Sequence, residues 1–260
     1  MELPLLTIEE VISALLVLLR VSALIILMPI FGHRLVPAQV KIGLIALLAI
    51  LLYPVVSSSL PQIPVSPLAL MIVAIQEILI AAMLAMVAQL IFAAAQFAGQ
   101  VMGYQMGLAI ANVFDPATSA QISVIGQFAQ VMAMLIWLSV GAHNMFLSAL
   151  ADSFYLLPIG QPLDLSAVAS LNDMASNMFA LALRLVAPML LLLFFLYVAL
   201  GLLSRAVPQI QVFFVSFPLT VGIGFLAFAI ALPGIISLMH DSFSGISYSL
   251  PSLLQSLSGV

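Results

Sequence analysis

The 260-residue sequence has no cysteine, one lysine and one tryptophan, and its charge is confined to five basic and nine acidic residues. Without cysteine there is no disulfide framework, thiolate nucleophile or cysteine metal site. With so few basic residues and a net charge of −4, there is no patch to attract nucleic acid or anionic headgroups. His33, His143 and His240 are isolated, and no pair has the spacing of a metal-binding helix. Lys41 follows no glycine-rich run, so there is no phosphate loop for a nucleotide. The Ser-Phe-Ser-Gly run at 242–245 lacks the leading glycine of a nucleophile elbow. Catalysis, cofactors and metals are therefore not expected, and an intramembrane hydrolase is disfavoured for want of its motifs.

What is present is hydrocarbon. Hydrophobic residues make up 65% of the chain and charged residues 5%, where a soluble domain carries about 25% charge. Such a chain is an integral membrane protein or a core subunit of an apolar assembly. The expected fold class is all-α and polytopic, with six apolar blocks at 8–30, 40–60, 68–107, 124–157, 178–203 and 212–239. The first ten residues hold Glu2, Glu9 and Glu10 and no base, which argues against a cleaved signal. Thr7 followed by Glu10 predicts a capping box at the start of the first helix. The positive-inside tendency places the Arg34/Lys41 and Arg205 turns in the cytoplasm. The segment holding Asp152, Asp164 and Asp173 and both termini then fall outside, and Asp115 lies inside without a basic neighbour.

The stretch at 98–128 interrupts the hydrocarbon with glycine, glutamine, methionine and a lone Asp115-Pro116. No proline occurs between Pro67 and Pro116, nor between Pro116 and Pro158. Two proline-free arms of about 40 residues therefore meet at one break, and a helix of that length runs about 60 Å against a hydrocarbon core of about 30 Å. Either each arm folds back or the helices reach beyond the bilayer. Within the first arm, Ala82, Ala85, Gln89, Ala93, Gln96, Gln100, Gly103 and Gly107 recur at steps of three or four, forming one helical stripe. Small and amide residues on one face let helices approach and hydrogen-bond. An internal helix seam is the plainer interpretation; a seam for partner subunits or a wet conduit is the other.

Arg20, Glu77 and Arg184 lie deep inside apolar blocks, where ionisable groups face partners, water or a bundle interior. A structural ion pair and a proton or ion site are the two alternatives. Asp115 before Pro116 starts a turn and is a candidate for a gate. Met102, Tyr104, Met106 and Phe114 are either core filler or an adaptable constriction, since methionine deforms to fit what passes. Pro188, Pro218 and Pro233 interrupt the last two blocks, as in broken transport helices or as ordinary tolerated kinks.

Several motifs in order carry a resemblance that spans essentially the whole chain. AGQVMGYQMGLAIANVFDPATSAQ, GAHNMFLSALADSFYLLPIG and SRAVPQIQVFFVSFPLTVGIGF, the last with Pro208, Gln209, Val212 and Phe213, resemble successive signatures of the FliR family. Arg20, Pro29, Phe31 and Glu77 agree as well. FliR is the R subunit of the flagellar type III export gate; the related injectisome subunit is the nearest competitor, and the compact C-terminus leans towards the flagellar version. The resemblance implies a single domain over 1–260, built of kinked helical hairpins that pack in a helical hetero-oligomeric gate, like a P-type and a Q-type subunit joined. It implies a flagellar basal body in the bacterial inner membrane, with the complex largely above the membrane plane. It implies FliP and FliQ as partners, with FlhB, FlhA, exported flagellar polypeptides and lipid, and no nucleic acid. The loop at 107–122 would plug the closed pore, with Phe114 as stopper, Asp115 and Pro116 as the bend, and Met102, Met106 and Gly107 at its base. Gln89, Gln96, Gln100 and Gly103 would form an assembly seam. The expected function is thus a non-enzymatic pore subunit, nucleating assembly and sealing the channel. The alternative is a self-contained secondary transporter or channel using Glu77 and Arg184 as its coupling site, although no inverted repeat relates the two halves.

Overall fold

In the computed structural model, residues 7–32, 36–56, 66–108, 124–164, 167–206 and 212–259 are described. They form eight helices and no strand. These are α1 (Ile8–Leu27), α2 (Ala38–Val56), α3 (Pro67–Gln105), α4 (Val124–Ser139), α5 (Ala142–Leu156), α6 (Ala167–Ala206), α7 (Val212–Ser244) and α8 (Ile246–Ser258). The protein is an all-α polytopic membrane protein. Five stretches are long and apolar enough to cross a bilayer, or six if α4 and α5 count as one broken span.

The helices start and stop for local reasons. At α1 the capping box forms: Thr7 N donates to Glu10 Oε2 at 2.8 Å, and Glu10 N donates to Thr7 Oγ1 at 3.3 Å. Glu9 and Glu10 also sit at the positive end of the helix dipole. α3 opens with proline at its first position, where the missing N–H costs nothing. Ala, Leu, Met, Ile and Gln then carry it without interruption for 39 residues. At 1.5 Å per residue it is about 58 Å long. Residues 67–105 of the first proline-free arm are therefore one continuous helix, with more residues than are needed to cross the hydrocarbon core.

The second arm behaves differently. Block 124–157 was expected as one apolar run, but it breaks into α4 and α5 at Gly141, whose φ of 72° is left-handed and suits glycine. Block 178–203 grows backwards into α6 and takes in Asp173, because a polar face does not stop a helix. Block 212–239 lengthens to Ser244, and a further helix, α8, follows.

The backbone divides into two compact units. The first comprises 1–90, 141–174 and 245–260. In it α1 packs on α2 and α5 packs on α8. The buried face of α1, with Leu16, Val17, Val21, Leu24 and Ile25, has helical spacing. α8 buries Ile246, Leu250, Leu253, Leu254 and Leu257 and turns Tyr248, Ser252 and Gln255 outward. The second unit comprises 91–140 and 175–244. Aromatic pairs knit it together: Phe92 with Phe243 at 5.3 Å, Phe97 with Phe179 at 6.3 Å and Phe128 with Phe228 at 5.8 Å between ring centres.

Among the long helices α3 is the most buried and α2 the least. Large apolar side chains such as Ile50, Leu51, Leu191, Phe194, Phe195, Leu226 and Ile230 remain exposed. That much bare hydrocarbon calls for lipid or protein around it.

Candidate functional site

Two places combine chemistry with tight geometry. The first, in the first unit, is the ion pair of Arg20 and Glu77, which are 0% and 1% exposed. Arg20 Nε donates to Glu77 Oε2 at 2.5 Å. Its Nη1 donates to Ser153 O at 2.9 Å and to Ser153 Oγ at 3.1 Å, and its Nη2 donates to Leu157 O at 2.9 Å. The guanidinium also lies 4.2 Å from the centre of the Phe154 ring. Ser153 and Leu157 belong to the last turn and C-cap of α5. The end of a helix carries unpaired carbonyls and a partial negative charge, so one buried arginine joins α1, the acid on α3 and the end of α5. Only a planar fork with five donors makes that set of bonds. Arg184 is elsewhere: it is exposed on α6, one turn before Pro188. Of the charged residues from the apolar blocks, Arg20 and Glu77 form a pair.

The second place, in the second unit, is the end of α3. Gly107 has a φ of 81°. Leu108 N donates to Gly103 O at 3.1 Å and Gly107 N to Tyr104 O at 3.0 Å, which together form a Schellman cap. Met106 N donates to Met102 O at 3.0 Å, and the Tyr197 hydroxyl donates to Gln105 O at 2.6 Å. All four last carbonyls of the helix are therefore satisfied. Met102 and Met106 are buried and Tyr104 is exposed. Met106 lies against Gly224 of α7, where an added Cβ would fall 2.6 Å from Met106 Cγ. Phe114, Asp115 and Pro116 lie outside the described residues, as do Pro208 and Gln209; Val212 and Phe213 open α7.

The predicted stripe runs along α3 with mixed surroundings. Gln89 is exposed, yet its Nε2 donates to Leu27 O at 2.6 Å and so finishes α1. Gln96 and Gln100 are half-buried and Gly103 is buried. A close approach of helices lies one position to the side, at Gly99. A Cβ there would lie 2.7 Å from Gly126 Cα and 2.9 Å from Ile125 O on α4. Gly99 and Gly103 are four apart, the small-residue spacing of close helix contacts, and that signal was available in the sequence. Ser153, Leu157, Tyr197 and Gly224 carried no comparable signal, because each acts on a partner far along the chain.

Long apolar helices, a buried ion pair and small-residue crossings define a polytopic helical membrane protein, and among the described residues no group of three metal-ligating side chains occurs. The chain belongs to the bacterial export proteins, family 1, whose family model matches residues 11–246. It is similar to the flagellar biosynthetic protein FliR of Escherichia coli (strain K12), at 37% identity over 243 residues, covering 92% of each chain. Over 240 residues it is 37% identical to FliR of Pectobacterium carotovorum subsp. carotovorum, covering 92% of this chain and 91% of the other. FliR of Bacillus subtilis (strain 168) is 35% identical over 234 residues, covering 88% of this chain and 90% of the other. The protein is therefore an export-family component of flagellar biosynthesis, in a family that is not a known enzyme class, and an inner-membrane protein.

Proposed function

We propose that this chain is a non-enzymatic pore subunit of the flagellar type III export gate, assembled with FliP and FliQ in the basal body and held beside FlhB and FlhA. The observation that carries this is similarity to FliR proteins along nearly the whole length of both chains. The structure supports it in two ways. α3 is about 58 Å long, twice the hydrocarbon thickness, as suits a helix stack that rises out of the bilayer. Exposed apolar side chains on α2, α6 and α7 offer surface for neighbouring subunits as well as lipid.

In this reading 107–122 plugs the closed channel for unfolded flagellar polypeptides. Phe114 is the stopper, Asp115-Pro116 the bend, and Met102, Met106 and the Gly107 cap its fixed base. The coupling site that a self-contained transporter would need has less support, since the Glu77 carboxylate is engaged by Arg20 and Arg184 is exposed.

Native mass spectrometry tests the assignment. The chain co-expressed with FliP and FliQ is expected as a single copy in a large hetero-oligomer. A stable monomer or homodimer that ignores both partners overturns it.

A further inference from the structure

We infer that Arg184 marks one edge of the bilayer on α6, where it meets phospholipid headgroup phosphates, and that 185–204 is the lipid-contacting part of that helix. α6 is 40 residues long, about twice what crosses a hydrocarbon core. Its charges within the second unit are Arg184 and Arg205, 21 positions apart. At 1.5 Å per residue they stand about 32 Å apart, close to the hydrocarbon thickness of about 30 Å. The residues between them carry no charge. Their polar side chains are Tyr197 and Ser204, and both bond within the protein. The Tyr197 hydroxyl donates to Gln105 O at 2.6 Å and the Ser204 hydroxyl to Gly201 O at 2.7 Å. Leu191, Phe194, Phe195, Val198 and Leu202 are exposed between the two arginines, whereas Ser176 and Asn177 are exposed before the first. Phe179 and Leu183, exposed there too, lie within about 8 Å of Arg184 along the helix, the depth of a headgroup layer.

Side-chain and backbone chemistry both set Arg184 at the edge and not inside. Its side chain is exposed, and it pairs with no acid among the described residues. One arginine at the centre of a span disfavours insertion by roughly a hundredfold. Side chains on a helix lean toward its N-terminus, so a long arginine here reaches away from 185–204 and into the headgroup layer. Pro188 has no N–H for the carbonyl four residues earlier, which is Arg184's own. An open carbonyl is costly in hydrocarbon, and at the headgroup layer water meets it. A guanidinium and a phosphate make two parallel hydrogen bonds, and phospholipid is the phosphate that such an edge faces. The part of α6 before Arg184 then stands clear of the hydrocarbon. This boundary needs only a chain set in a membrane, and the gate assignment can fail without it.

The absence of cysteine makes the test clean, since one introduced thiol carries one nitroxide. The full chain is reconstituted in vesicles of phosphatidylethanolamine and phosphatidylglycerol, with single labels at Asn177→Cys, Ala180→Cys, Ala187→Cys, Leu191→Cys, Phe195→Cys and Leu202→Cys. Phe194→Cys replaces Phe195→Cys if the latter does not reconstitute. Collisions with oxygen, which dissolves in hydrocarbon, are compared with collisions with a nickel chelate, which stays in water. Nickel is expected to dominate at 177 and 180, and oxygen at 191, 195 and 202. Relaxation of the lipid phosphorus resonance is expected to be strongest for labels at 180 and 187, one turn either side of Arg184. Added to the label at 180, Arg184→Leu should sink the helix by about one turn, 5.4 Å, and lower nickel collisions there; Arg184→Lys should leave them unchanged. Oxygen dominating at 177 and 180 overturns the boundary by placing Arg184 in hydrocarbon. Both reagents excluded at 191 and 195 overturns it in favour of a protein neighbour on this face, and nickel dominating there overturns it in favour of a wet one. An Arg184→Leu helix that does not move, or phosphorus relaxation strongest from 195, overturns the headgroup contact.

Discussion

Replacing Arg20 by leucine removes the centre of the buried cluster, and the structure sets the size of the loss. Glu77 is left 1% exposed with its cationic partner gone. Breaking one side of a buried ion pair costs about 3–5 kcal/mol, because the remaining charge stays desolvated. Ser153 O keeps the Leu157 N–H, at 3.0 Å, but Leu157 O loses the donor that Arg20 supplied. An orphaned carbonyl adds about 1–3 kcal/mol. The sum is a large part of the roughly 5–15 kcal/mol that holds a domain folded. For a chain of this size each kcal/mol moves the midpoint by about 2–4 °C, so Arg20→Leu should lower it by about 10 °C or more. Heating the detergent-solubilised protein and following the monodisperse peak by size-exclusion chromatography measures this. Arg20→Lys should fall between, since an ammonium reaches the acid but cannot span three partners. The double variant Arg20→Leu/Glu77→Leu should be more stable than either single variant, as no bare charge remains. A midpoint within 2 °C of the parent for Arg20→Leu, or a double variant that merely adds the two losses, would refute the coupled cluster.

Gly99→Ala should destabilise the protein by about 1–3 kcal/mol, because its Cβ meets the backbone of α4. Gly43→Ala, in α2 with nothing within 4 Å of an added Cβ, should instead stabilise the isolated chain by up to about 1 kcal/mol; the same heating assay reads both. Gly107→Ala forces a side chain into left-handed backbone and should cost about 1–2 kcal/mol, seen as faster hydrogen exchange at 104–108. If the stripe is an assembly seam, Gly103→Leu should abolish the co-purifying hetero-oligomer, and normal yield would return the stripe to internal packing.

Much of the local structure was legible in the sequence. Thr7 and Glu10 announced their reciprocal bonds, and the absence of proline from 68 to 115 left a choice between a folded-back arm and a long helix, which α3 resolves over 67–105. Propensity and capping act over a few residues, so a few residues suffice to read them. Arg20 and Glu77 stood out individually as charges in hydrocarbon, but 57 positions separate them, and nothing local told that the arginine would also finish α5. The break at Gly141 escaped because one glycine inside an apolar run is also tolerated within a helix and does not by itself mark an end. α8 escaped for the opposite reason: its serines dilute mean hydropathy while its leucines keep a helical period. In the candidate gate, Met102 and Met106 were visible as chemistry. Their burial, and the oxygen and the glycine that hold this end of α3, depend on which distant helices fold back onto it.

The first unit has a timing that its shape alone does not convey. It is stitched from three separate stretches of chain, and the helix that covers α5 comes last. About 90 residues separate the end of α5 from the start of α8, so at about 5–20 residues per second the ribosome needs some 5–18 s to deliver the cover. Throughout that interval the face of α5 destined for α8 is bare, while α6 and α7 are being made. Nascent α5 must therefore be shielded by lipid, by the insertion machinery or by a neighbouring subunit, and slowing translation between the two helices lengthens its exposure in direct proportion.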